Sequence, residues 1–441
     1  MRYPPGFLLL LILCLSFIIL PGGADMVSPK ELPEINNLPE LMRFENGDEV
    51  KTPEDWARRR KEILTLYSEY MYGYMPDPAQ ESIGWSLEQE PETGGTLLRI
   101  SVHVEDRSAS FSVLVGLPSS DMPEGGYPFY IEYWPWHYQD WFSKQWVTGF
   151  SDNCRYAMER GYAGIQYDCS QVSQDNSFHL GTFFTLYPYD LANQDERRGT
   201  LLAWAWGVSK IIDALESGAG EALGINPALS LVGGVSRYGK SAAVAGAYDE
   251  RIRVTIPSCS GAGGIAVYRT DNHGKTYDLS SLGGPAQWTN SSQNEPFSNL
   301  QGGEGYWFCG RFAVIPSVRH LPVDQHMLCA LAAGKNRHLI IVTGITSEGW
   351  NNTEGQCLAY IASQPVWDLL GCSDQNNMII HLDGHAILRS DMEYILDYCD
   401  VHLLGAPRES AARDLSHMKG NLFLEDNRNL LDPLFDSYIA K

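Results

Sequence analysis

Alternating apolar and polar positions divide the chain into strands and helices. Leu97–Val104 (LLRISVHV) and Ala109–Leu117 (ASFSVLVGL) carry apolar or β-branched residues at every second position with polar turns between, which predicts two strands. Tyr127–Trp136, Gly161–Cys169, Ala228–Gly233, Arg253–Ser258, His338–Val342 and Met378–Leu382 are further apolar runs of strand length. Helical spacing separates the later runs, over Leu201–Glu216, the Ala-rich stretch after Ser236, Asp324–Ala333 and Gly355–Leu370. Strands alternating with helices predict an α/β fold, a mostly parallel sheet covered on both faces. Upstream, Thr52-Pro-Glu-Asp55 opens a helix with an apolar face of Trp56, Ile63, Leu66, Tyr67 and Tyr70, stopped by Gly73 and Pro76. Residues 25–50 read as a polar lead-in. Residues 270–306, polar and Gly-rich, read as a long surface excursion.

Composition narrows the class. With 441 residues and a formal charge of −22, the chain can bury a large core and is a poor match for nucleic acid or an anionic membrane surface. Arg2, the apolar run Phe7–Leu20 and the small residues to Ala24 predict a secretory signal peptide over residues 1–24, with one catalytic domain over 25–441. The run is too short to span a bilayer, so no stable membrane insertion is expected after cleavage. Eight cysteines follow the leader (Cys154, Cys169, Cys259, Cys309, Cys329, Cys357, Cys372 and Cys399), with no C-x-x-C pair. Their spacing argues against zinc, and some could pair in an oxidising compartment. Asn290-Ser-Ser and Asn351-Asn-Thr are glycosylation sequons. No cofactor or metal and a monomeric state are expected. Aromatics crowd one segment (Trp134, Trp136, Tyr138, Trp141, Phe142 and Trp146), where they could stack on sugar faces or cap the sheet.

The candidate chemistry lies in Leu229–Arg251 (LSLVGGVSRYGKSAAVAGAYDER). An apolar strand meets Gly233 and Gly234, then Ser236, then a helix. That is the strand-turn-helix in which an α/β-hydrolase exposes its nucleophile. The match to G-x-S-x-G is imperfect, because Tyr238 stands at the second position after the serine and Gly239 at the third. In such folds an acid and a histidine follow in that order on loops after later strands. Glu348, after the His338–Val342 strand, and His385, after the Met378–Leu382 strand, fill both positions. His320, His326 and His381 compete for the base, and Asp324, Asp374 and Asp383 for the acid. Arg237 beside the nucleophile can reach a tetrahedral oxyanion. Lys240, at the already positive start of a helix, points to a polar or acidic substrate.

The motif Gly234-Val235-Ser236-Arg237-Tyr238-Gly239-Lys240 resembles the G-C-S-R-x-G-K of the glucuronoyl esterases, carbohydrate esterase family fifteen. The likeness extends through Glu54–Ile63 with Tyr72-Gly73, Ala203–Gly207, Tyr248–Arg251, Ser260–Gly264 and Leu321–His326. It implies an α/β-hydrolase fold and a secreted, metal-free serine esterase. The implied reaction cleaves the ester between 4-O-methyl-glucuronic acid of xylan and lignin alcohols. Glucuronoxylan or a lignin–carbohydrate ester is thus the implied partner. By the same likeness Ser236 is the nucleophile, Arg237 the oxyanion stabiliser and His385 the base. Lys240, Glu304 in Gly303–Phe308 and Trp350 become sugar contacts, and a family glutamine could be Gln293 or Gln301. The family's frequent acid position falls at Cys259, while some bacterial members place the acid where Glu348 stands. The fungal disulfide positions are Val235 and Ala386, so this reads as a bacterial-type member. An acetyl-xylan or other carbohydrate esterase, or a glycan-binding protein on the same scaffold, are the alternatives.

Overall fold

The computed structural model describes residues 27–418 apart from 141, 142, 191 and 193–196, together with Asn427. The predicted leader and Trp141 and Phe142 lie outside the described residues.

Among the described residues, nine strands form one sheet: β1 (Ser82–Glu90), β2 (Gly95–Val104), β3 (Arg107–Gly116), β4 (Tyr127–Tyr133), β5 (Ala163–Tyr167), β6 (Ile225–Val235), β7 (Val254–Ser258), β8 (His338–Thr343) and β9 (Asn376–Ile380). Their order is β1-β2-β3-β5-β4-β6-β7-β8-β9. The six strands from β5 to β9 run parallel, and β1 to β3 add an antiparallel edge. Strand β1, largely exposed, was not among the predicted strands, although Ile83, Trp85 and Leu87 alternate with polar residues along it.

Among the described residues, seven longer helices pack around the sheet: α1 (Pro53–Tyr70), α2 (Asp152–Glu159), α3 (Thr200–Ala214), α4 (Arg237–Tyr248), α5 (Gln325–Leu331), α6 (Thr353–Leu369) and α7 (Arg389–His402). Helix α1 starts as its sequence predicts. Thr52 accepts from the Asp55 N–H while Asp55 accepts from the Thr52 N–H, and Pro53 needs no donor.

Alternation along the strands sorts side chains onto two faces. Phe129, Ile131 and Tyr133 of β4 and Leu339 and Ile341 of β8 pack with α1, α3, α4, α5 and α6. Tyr130, Ile340 and Val342 point the other way, against α2 and α7. The result is a helix–sheet–helix sandwich. Among the described residues, no helix is long and apolar enough to cross a membrane.

The stretch 270–306, read as a long surface excursion, carries structure of its own. It folds into a two-stranded hairpin, Thr276–Tyr277 with Trp288–Thr289, and a short helix, Phe297–Gln301. Its polar residues face one another: the Asn290 amide donates to Asn272 Oδ1 at 2.8 Å, and Asn294 donates to Asn272 and to the Gly349 carbonyl. A polar composition therefore marks internal pairing here.

All eight described cysteines are free and buried. Reduction should leave the melting temperature unchanged, which a thermal scan with and without dithiothreitol checks; a lower melting point in the reductant would contradict it. His326 and His338 are also buried, and burial lowers the pKa of each to about 4. The unfolded chain binds protons on these groups near pH 6.5 and the folded chain does not. Stability is therefore present above that pH and lost as pH falls toward 4, by on the order of 3 kcal/mol per histidine. Melting curves between pH 7 and 4.5 should show the decline.

Candidate active site

The geometry at the end of β6 explains the spacing of the motif. Ser236 stands at φ 62° and ψ −127°, a left-handed turn between β6 and α4. Its N–H donates to the Ser258 carbonyl at 2.9 Å, which clamps the turn to the end of β7. A Cβ on Gly239 would lie 2.5 Å from the Ser258 carbonyl oxygen, and a Cβ on Gly234 would lie 2.7 Å from the Tyr238 backbone. Glycine at these two positions lets α4 start hard against β6 and β7. Tyr238, where a hydrolase motif usually has glycine, instead stacks on Tyr133 with ring centroids 6.2 Å apart.

The turns after β8 and β9 deliver the other two groups. Glu348 is 1% exposed, and both carboxylate oxygens lie 2.9 Å from His385 Nδ1. The His385 side chain is 46% exposed, so its outer edge is open to solvent. Asn351 Nδ2 donates to Glu348 and lies 3.3 Å from His385 Nδ1, so it braces the carboxylate beside the ring. Ser258 Oγ donates to the Ala386 carbonyl at 3.3 Å, tying the histidine turn to the residue that clamps Ser236. The rivals have other partners. Asp324 binds Arg269 and the Tyr268 N–H, and His326 is held by the Pro39 carbonyl. His320 bonds Ser317, and His381 bonds the Gly384 carbonyl and lies 2.9 Å from Asp391. Asp374 and Asp383 approach no ring of the dyad: Asp374 lies 3.8 Å from His402, and Asp383 accepts from the Gly384 N–H.

Arg237 is held in place. Its Nη1 donates to Asp175 at 2.6 Å, and its guanidinium lies over the Trp307 ring. Asp175 also accepts from Tyr306 Oη and Trp307 Nε1 at 3.0 and 2.8 Å. Among the described residues, Nε and Nη2 of Arg237 have no partner, which leaves two donors for an oxyanion.

Lys240 differs from its expected place at the substrate. It is 2% exposed, and its three protons go to the Ser260 and Ala262 carbonyls and to Glu295 at 2.9, 2.6 and 2.7 Å. A sugar hydroxyl would have to share or displace one of these bonds. The α4 start tolerates the cation because two carbonyls and a buried carboxylate surround it. Glu304 is half-buried, accepts from Asn299, and is pushed above the usual carboxylate range by burial and by the neighbouring Glu295. Trp350 is 45% exposed, on the short turn that also carries Asn351. Of the two glutamines, Gln301 is committed to the Phe312 and Ile315 carbonyls, while Gln293 is exposed. Trp146 projects into solvent, stacked on His137.

Asp175, Glu295 and Asn351 escaped the sequence reading as site residues. Asn351 alone carried a signal, its place three residues after Glu348.

Comparison with known proteins places most of the chain beside one family. A family model described as "Glucuronyl esterase, fungi" matches residues 100–371. A multidomain esterase of Ruminococcus flavefaciens is 39% identical over 384 residues, covering 85% of this chain and 47% of the relative, so the chain spans about half that protein's length. A 4-O-methyl-glucuronoyl methylesterase of Podospora anserina is 32% identical over 78% of this chain and 62% of its own. Among solved structures, a carbohydrate esterase family 15 glucuronoyl esterase from Caldicellulosiruptor kristjansonii superposes with a TM-score of 0.76 at 36% identity, covering 87% of this chain and 94% of that one. The glucuronoyl esterase catalytic domain from Hypocrea jecorina gives 0.65 at 26% identity, over 91% and 96%. The fold is that of an α/β-hydrolase, and the chain belongs to the glucuronyl esterase family.

Proposed function

We propose that the chain is a secreted serine esterase that cleaves the ester between 4-O-methyl-glucuronic acid of xylan and a lignin-type alcohol. The observation that carries the reading is the His385 ring fixed by a buried Glu348 at the same sheet end as the left-handed Ser236 turn. Relatives named for methylesterase action on 4-O-methyl-glucuronoyl groups supply the substrate class. The leader predicted over residues 1–24 supports export, and monomeric action is part of the proposal.

In this mechanism His385 Nε2 takes the Ser236 Oγ proton as Oγ attacks the ester carbonyl. Glu348 holds Nδ1–H and stabilises the imidazolium that forms. The Arg237 N–H, first in α4, and its free guanidinium donors receive the oxyanion. The imidazolium then protonates the leaving alcohol, and water, activated by the same ring, releases the uronate from Ser236. Glu304 accepts from sugar hydroxyls, Trp350 offers a ring face, and Lys240 acts by holding Glu295 beside Glu304.

The test compares release of alcohol from benzyl glucuronate with release of acetate from acetylated xylan. Cleavage of the uronate ester is expected; acetate release alone would reassign the enzyme, and inactivity on both would favour a glycan-binding role. Arg237→Ala should lower kcat about 10²–10³-fold with a smaller change in KM, which steady-state kinetics on benzyl glucuronate would read.

A further inference from the structure

Cys259 follows β7, between the turns that carry the nucleophile and the acid. Its Sγ, a Glu348 carboxylate oxygen and a His385 ring nitrogen all lie within 4.8 Å of one another. Among the described residues, this is the one group of three His, Cys, Asp or Glu donors so placed. The three come from the ends of β7, β8 and β9, which is why cysteine spacing along the chain gave no sign of them. Cys259 and Glu348 are buried while the His385 side chain is 46% exposed, so solvent reaches the set from the imidazole's side. Three protein donors of mixed S, O and N type match how a thiophilic divalent cation is held. Ligand atoms around such an ion sit about 3.5 Å apart, a closure within reach of the half-exposed imidazole.

We propose that Cys259, Glu348 and His385 form a capture site for a thiophilic divalent cation, Zn²⁺ or Cd²⁺, whose binding switches the esterase off. The switching part rests on the proposed role of His385 as base. The proposed mechanism uses no metal. The backbone fixes the sulfur: Cys259 stands at φ 45°, and its N–H donates to the Val342 carbonyl at 2.8 Å.

The chemistry follows from where the protons sit. A thiol carries its proton at neutral pH. Hard cations such as Mg²⁺ and Ca²⁺ prefer oxygen and have no use for a thiol. A soft cation displaces the S–H proton to solvent and forms a metal–thiolate bond. The ring nitrogen nearest Glu348 is Nδ1. A metal bound there takes the position of the Nδ1 proton, which then resides on Nε2. Nε2 must be bare to accept the Ser236 proton, so the bound ion leaves a neutral imidazole in the wrong tautomer. One ion enters, one proton leaves, and no electron moves.

The experiment titrates the full chain with Cd²⁺, Zn²⁺ and Mg²⁺. It follows benzyl glucuronate hydrolysis and, in the same Cd²⁺ samples, the ultraviolet absorption of the cadmium–thiolate bond. Each variant's activity is normalised to its own metal-free rate. Wild type should lose activity with Cd²⁺ and Zn²⁺ but not Mg²⁺, recover it on chelation, and show the thiolate band. Cys259→Ser and Cys259→Ala should raise the half-inhibiting concentration at least ~10-fold and lose the band. His385→Ala, assayed for the band alone, should weaken it. Equal inhibition of wild type and both Cys259 variants would overturn the site, as would a wild type that shows no band. A band dependent on Cys259 and His385 in protein that cleaves no uronate ester would uphold the site and overturn the activity reading instead.

Discussion

Replacing Ser236 with alanine should lower kcat on benzyl glucuronate by at least ~10⁵-fold. Without Oγ there is no acyl-enzyme, and the rate left is what the oxyanion donors and bound water supply. The fold should persist. The left-handed turn is set by the Ser236 N–H bond to Ser258 and by the glycines at 234 and 239, none of which uses the side chain. Alanine carries the same Cβ as serine, so the strain at φ 62° is unchanged. The measurement pairs turnover with binding of free glucuronate. Retained binding with lost turnover is expected, whereas a rate within tenfold of wild type would remove Ser236 as nucleophile.

Glu348→Gln should cost nearly as much, about 10⁴-fold in kcat, with KM changed little. The carboxylate accepts from Nδ1–H with both oxygens at 2.9 Å, which keeps Nε2 bare. An amide can turn its NH₂ toward Nδ1 and so stabilise the opposite tautomer, with the proton on Nε2. Asn351 already donates to this group, so one amide orientation sets two donors against each other. Because a neutral side chain replaces a buried anion of similar size, stability should hold while kcat falls. A fall in melting temperature that tracks the loss of activity would make Glu348 structural instead. Steady-state kinetics with a parallel thermal scan separates the two.

The α/β architecture and three groups at its carboxyl edge could be read from the sequence because both follow local rules. Apolar runs of strand length alternate with helical periods, and the hydrolase order places an acid and a histidine after successive strands. Thr343 and Ile380 end β8 and β9 shortly before Glu348 and His385, so position along the chain nearly fixes position in space. Lys240 could be placed on α4 but not given partners. Its surroundings come from Ser260, Ala262 and Glu295, and Glu295 belongs to the stretch whose polar residues pair inward. Asp175 lies on a turn without periodicity, and only the folded chain brings it under Arg237. Helix α7 and strand β1, both absent from the predicted elements, were legible too: Met392, Ile395, Leu396 and Cys399 keep helical spacing, and Ile83, Trp85 and Leu87 alternate along a half-exposed edge.

The Asn351 bond to Glu348 bears on how the protein is best produced. Asn351 and Asn290 both head glycosylation sequons, yet in the fold both side chains are buried, 5% and 1% exposed. A eukaryotic secretory host attaches glycans to the nascent chain before it folds, so burial offers no protection. A sugar on Asn351 would occupy the nitrogen that braces Glu348, and one on Asn290 would split its pairing with Asn272. Material made in yeast or insect cells should therefore carry a poorly folded fraction, while a bacterial host without this glycosylation avoids it.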